Sequence, residues 1–138
     1  MASSDCWRGK WALVTGASSG IGSALAEELA SGGAHLVLTA RRRQRLTQLR
    51  KRRRAAHAVQ VEVVAADLDQ PDAPEKIFAF TSERAIQVDL LVNNAGVGSY
   101  GEFCASGLPR ELGIVQVNCS AVVHLTHLYL PGRAGTGE

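Results

Sequence analysis

The segment Thr15-Gly16-Ala17-Ser18-Ser19-Gly20-Ile21-Gly22 carries the first chemical suggestion in this chain of 138 residues. Glycine at 16 can turn where a side chain would clash. Glycine at 20 lets backbone approach a ligand, and glycine at 22 lets a following helix pack against a sheet. A helix start here offers unpaired N–H groups and a positive dipole end to a pyrophosphate, which makes Gly16, Ser18, Ser19, Gly20, Ile21 and Gly22 the expected phosphate-binding residues. Glycines alone would equally make a bare turn, so the reading needs a strand before them and a helix after them. The end of the next strand decides the adenosine side. A dinucleotide with free ribose hydroxyls calls for an acid there, whereas this chain has Thr39-Ala40-Arg41-Arg42. Arginine grips a 2′-phosphate bidentately where an acid would repel it. NADP is therefore expected over NAD; the competing reading is that Arg41 and Arg42 merely begin a solvated basic helix.

Other candidates are weaker. Nine of the fifteen basic residues lie between Arg41 and Arg54 with no acid among them, and the remainder carries six bases against thirteen acids. A block of this kind suits either a nucleic-acid patch or a solvated helix face. No aromatic residue interleaves these arginines, so nucleic acid ranks last among the partners. His124 and His127 are three apart with no third ligand nearby in sequence, which favours a helix-surface or interface role, and no metal is expected. Cys6, Cys104 and Cys119 are odd in number and far apart, as suits reduced thiols in a cytoplasmic protein.

These residues need positioning elements, and hydrophobic periodicity supplies an alternating series. Trp11–Thr15 reads as a strand ending in the glycine turn. Ile21, Leu25 and Leu29 recur at helical spacing until Gly32-Gly33. His35–Thr39 reads as a second strand, the basic stretch with Leu46 and Leu49 as a second helix, and Val59–Ala66 as a third strand. A third helix begins near Pro74, with Ile77, Phe80, Thr81 and Arg84 on one stripe; Phe78 and Phe80 are expected in the core. Asp89–Asn93 reads as the fourth strand, and a last helix runs from about Pro109 to Leu130 with Leu112, Val115, Cys119, Val122 and Thr126 on one side. Residues 133–138 read as a polar end. Alternating strands and helices imply right-handed βαβ crossovers and a parallel sheet. Composition agrees with one globular domain: 46% of residues are apolar and 20% charged, and no apolar run reaches the roughly 18 residues of a membrane span. Met1–Lys10 lacks the apolar stretch of a signal peptide.

In this setting the motifs carry a family resemblance. Thr15–Gly22 resembles the cofactor turn of the short-chain dehydrogenase/reductase family. Asp67-Leu68 after the third strand resembles that family's adenine-contacting acid and its neighbour. Asn93-Asn94-Ala95-Gly96 matches its signature beside the cofactor channel, and Asn118 falls where the family keeps an active-site asparagine. The resemblance implies a Rossmann-type doubly wound parallel sheet with ligand at the carboxyl ends of the strands. It also implies hydride transfer between NADP(H) and an alcohol or carbonyl substrate, and pairing of subunits through the last helix. The family's catalytic serine and its tyrosine and lysine four positions apart have no counterpart here: Tyr100 is followed four residues later by Cys104, and Tyr129 by Arg133. The expectation is thus a domain truncated after the fourth strand and fourth helix, inactive alone. A non-catalytic NADP-binding or dimerising module is the alternative. In the family's strand order the fourth strand would be left as an apolar edge open to association.

Overall fold

The structure, a computed structural model, describes residues 6–132. Its frame is a parallel sheet of β1 (Trp11–Thr15), β2 (His35–Ala40), β3 (Val61–Ala65) and β4 (Val88–Val92) in the order β3-β2-β1-β4. The crossovers are α1 (Gly20–Ser31), α2 (Arg43–Ala56) and α3 (Ala73–Glu83). This is the doubly wound Rossmann arrangement, with β4 on one edge. The third strand starts two residues later than its valine run suggests, because the Val59 amide donates to His57 O in a turn that closes α2.

Alternation along β1 divides the interior into two cores. Leu13 faces Ile77, Val117, Leu125 and Tyr129 on the side of α3 and the last helix. Ala12 and Val14 face Ala26, Ala30, Leu46 and Val61 on the side of α1 and α2. Burying a leucine or isoleucine side chain contributes about 1.5–3 kcal/mol, so the fully buried Leu13, Leu36, Leu38, Leu46, Ile77 and Leu125 dominate cohesion. Phe78 and Phe80 pack partly buried against the first core.

Two helix faces differ from the sequence reading. On α1 the buried residues are Gly22, Ala26 and Ala30, while Ile21 is 73% exposed and Leu25 and Leu29 are only partly covered. Small residues win the inner face because they let the helix axis approach the sheet closely. The last helix is a rod in three parts: α4 (Leu108–Val115), a π-helical turn (Gln116–Ser120) and α5 (Ala121–Tyr129). Val117, Ala121, Leu125 and Tyr129 are its buried side, whereas Leu112, Val115 and Cys119 are exposed. Both sides of the rod are apolar, so periodicity alone could not say which of them meets the sheet.

Several polar groups inside the fold find partners. The Trp11 amide, at an irregularity between β1 and β4, donates to Asp89 Oδ2 at 2.9 Å. Tyr129 Oη lies 2.9 Å from Thr81 Oγ1, and Phe78 meets the Tyr129 ring edge-on at 5.2 Å. Burial pushes the Tyr129 phenol above its ordinary pKa, opposed in part by the Thr81 hydrogen bond. Glu27 on α1 is shared by Arg53 and His57 at the far end of α2, and burial lowers the pKa of Arg53. Residues 133–138, expected as a polar end, lie outside the described residues.

Candidate nucleotide-binding site

A cavity of about 650 Å³ opens at the carboxyl ends of the strands, walled by all four strand-end loops and by α4. Thr15 ties these loops together. Its hydroxyl donates to Val92 O at 3.3 Å and accepts from the Asn94 and Ala95 amides at 3.0 and 2.9 Å. Asn94 Nδ2 donates to Thr15 O and Gly16 O at 3.1 and 3.2 Å, and the Ala17 amide donates to Thr39 O at 3.2 Å. The loop after β4 therefore holds the glycine turn in shape.

That turn has the conformation its sequence demands. Gly16 and Gly20 have φ of +62° and +56°, the left-handed region that favours glycine. A Cβ on Gly16 would sit 2.9 Å from Ala95 Cα, and one on Gly22 would overlap Gly16 O and Asn94 Nδ2. Gly22 is thus a packing residue behind the turn, while Gly16, Ser18, Ser19, Gly20 and Ile21 line the cavity. Ser19 is the N-cap of α1 and places no side-chain bond on the first N–H groups, which remain available to an anion.

Arg41 and Arg42 line the cavity at the end of β2, exposed and without an ion pair among the described residues. Across from them, Asp67 and Leu68 follow β3. Leu68 is buried, and Asp67 Oδ1 accepts the Asp69 amide at 3.1 Å, which shapes the loop as an Asx turn. Asn94, Ala95 and Gly96 also line the cavity. Asn93 does not: it is exposed, and its Nδ2 donates to Thr126 Oγ1 at 3.2 Å on the last helix. Asn118 sits in the π-helical turn beside the cavity rather than in its lining. Its Oδ1 accepts the Val97 amide at 2.9 Å and its Nδ2 donates to Val97 O at 2.7 Å, pinning the loop after β4 to the rod.

Two contributors escaped sequence reasoning. Thr39 lines the cavity wall with a buried hydroxyl that has no hydrogen-bond partner. Gly113 stands inside α4, where glycine costs roughly 1 kcal/mol against alanine. A Cβ there would come within 2.7 Å of Asp69 Oδ1, so its absence admits the β3–α3 loop to the cavity. A glycine inside a helical pattern was the available signal. A glycine turn open to a ligand, an uncapped helix start, two exposed guanidiniums and an orphaned hydroxyl fit a dinucleotide.

Three of the four histidines are bonded within the fold, His57 through Glu27. His124 Nε2 lies 3.1 Å from Glu75 Oε1, and His35 Nδ1 accepts the Gln60 amide at 3.0 Å. Among the described residues no group of three or more His, Cys, Asp or Glu could hold a metal ion, and no helix is long and apolar enough to cross a membrane.

Comparison with known proteins agrees with this geometry. The profile of the short chain dehydrogenase family matches residues 10–137. The very-long-chain 3-oxoacyl-CoA reductase-A of Danio rerio is 36% identical over 127 residues, covering 89% of this chain and 39% of that protein. The 11-beta-hydroxysteroid dehydrogenase 1A of Arabidopsis thaliana is 39% identical over 124 residues, covering 89% and 36%. The crystal structure of L-sorbose reductase from Gluconobacter frateurii, complexed with NADPH and L-sorbose, superposes with a TM-score of 0.89 at 34% identity, covering 95% of this chain and 50% of that one. The chain spans half or less of the length of these proteins.

Proposed function

The chain belongs to the short chain dehydrogenase family, and on that premise we propose that it is the NADP-binding domain of an oxidoreductase acting on an alcohol or carbonyl substrate. When bound, the cofactor supplies or accepts the hydride; the protein positions it. The Gly16–Gly22 turn and the start of α1 hold the pyrophosphate, Arg41 and Arg42 the 2′-phosphate, and Asp67 and Leu68 the adenine. Asn94, Ala95 and Gly96 border the inner ribose, and Asn118 keeps that border in place through Val97. Three free cysteines suit a reducing compartment such as the cytoplasm.

The observation that carries the choice of NADP is the pair of exposed guanidiniums, Arg41 and Arg42, lining the cavity at the end of β2, where an acid would favour NAD. Replacing Arg41 by alanine removes a charge-assisted contact worth about 1.5–3 kcal/mol. NADP affinity is expected to fall roughly 10- to 100-fold in Arg41→Ala while NAD affinity holds. Calorimetric titration of both cofactors tests this, and equal affinities in the unaltered chain would end the NADP reading.

A second reading, a cofactor-binding module whose role is dimerisation, is favoured by the outward side of the last helix. Leu108, Leu112, Val115, Val123 and Leu130 are each more than half exposed there. Apolar surface of this kind marks an association site. Light scattering is expected to find a self-associated chain, and Leu112→Glu with Val123→Glu should shift it toward monomer. An unaltered chain that is already monomeric would remove this reading.

A further inference from the structure

Beside the cofactor cavity lies a smaller one of about 180 Å³, lined by Ser18, Arg45, Gln48, Leu49 and Arg52. Arg45, Gln48 and Arg52 recur at spacings of three and four along α2, so they stack on one side of it over two turns. Ser18 comes from the glycine turn and lines both cavities. α2 carries seven cations and no acid. Arg53 is matched by Glu27 and Arg54 by Glu62, but Arg45 and Arg52 form no ion pair among the described residues. Two unmatched guanidiniums bordering one concavity repel each other, and an anion between them relieves that repulsion. The Ser18 hydroxyl and the Gln48 amide add neutral donors, which suits the several oxygens of a phosphate.

We propose that Ser18, Arg45, Gln48 and Arg52 form a seat for a phosphate group, apart from the pyrophosphate position at the start of α1. Two sources share that chemistry. One is the 2′-phosphate of a dinucleotide in the main cavity, reaching across Ser18 beyond Arg41 and Arg42, and this source rests on the NADP reading above. The other is a free polyphosphate, which does not. A flat anionic surface would instead address the outward arc of α2, where Arg43, Lys51 and Arg54 stand.

The test titrates the 138-residue chain with inorganic pyrophosphate, with and without saturating NAD to fill the main cavity, and separately with NADP. The same titrations follow on Arg52→Gln and on Arg45→Gln/Arg52→Gln, with circular dichroism to verify that both variants fold. If the seat takes the cofactor's 2′-phosphate, NADP affinity falls roughly tenfold or more in the double variant while NAD affinity holds. If it takes a free anion, pyrophosphate binds in the presence of NAD, and that binding falls roughly tenfold or more in the double variant. NADP and pyrophosphate affinities both within twofold of the unaltered chain in the double variant would overturn the seat. Loss of NADP binding in Arg41→Ala alone would then leave the cofactor reading standing. Pyrophosphate binding that depends on Arg45 and Arg52 in a chain that binds no dinucleotide would do the reverse.

Discussion

Gly22→Ala is expected to abolish dinucleotide binding and to lower folding stability by about 3 kcal/mol, the upper end of ordinary overpacking costs. The added Cβ would overlap the Gly16 carbonyl oxygen and the Asn94 amide nitrogen, and neither neighbour is free to retreat. Gly16 O is backbone and already accepts from Asn94 Nδ2, while the Asn94 and Ala95 amides are fixed on the Thr15 hydroxyl. Relief must come from moving α1 outward, which opens the Gly22-Ala26-Ala30 contact with the sheet and turns the helix N-terminus away from the cavity. A loss of this size is a large share of the roughly 5–15 kcal/mol that holds a domain together. Gly98→Ala is the control: a Cβ there meets nothing within 4 Å, and its effect should stay within about 0.5 kcal/mol. Denaturant titration of the two variants makes the comparison. Equal midpoints would show that α1 does not depend on this close approach.

What made Gly22 readable in advance was its place in the first turn of a helix that follows a strand and a glycine turn. The same logic made the sheet readable: short apolar runs read at 11–15, 35–39 and 89–93 fall within one residue of β1, β2 and β4, and few topologies join such runs. The interior faces of the helices were not readable in this way. α1 offers Ile21 and Leu25 on one side and Gly22, Ala26 and Ala30 on another, and hydrophobicity favours the wrong one. The choice is made by closeness to the strands, a long-range property. The last helix repeats the problem, since Leu112 and Leu125 are equally apolar but only Leu125 is buried. Within the site, residues marked by backbone demands stood out early, as at Gly16 and Gly20 with their positive φ. Those marked only by a distant partner did not. The Thr15 hydroxyl is a hub because Asn94 and Ala95 lie some eighty residues away in sequence. Gly113 matters because Asp69 leans on it. The π-helical turn around Asn118, whose side chain bonds to Val97, is announced by no residue type in Gln116–Ser120.

Carbonyl reduction by this 138-residue polypeptide should be undetectable even where NADPH binds. Reduction of a carbonyl needs a proton delivered to its oxygen, and a positioned general acid is worth roughly 10²- to 10⁴-fold in rate. Neither tyrosine is placed to deliver it. Tyr129 is 8% exposed inside the core, bonded to Thr81, and burial raises its pKa. Tyr100 is fully exposed and does not line the cavity. Asn118 has committed both ends of its amide to Val97. The charged side chains in the lining are Asp67, Asp69, Arg41, Arg42 and Arg110. Asp67 Oδ1 already accepts the Asp69 amide, and both acids stand on the loop after β3, which the reading above gives to the adenine. Binding without turnover is the expected outcome: NADPH fluorescence should report a saturable complex, while product analysis with added ketones stays at the buffer background. A purified chain that consumes NADPH in step with alcohol formation, and does so after stringent removal of host reductases, would mean that one of these groups donates a proton after all. Asp67→Asn and Asp69→Asn would then identify which.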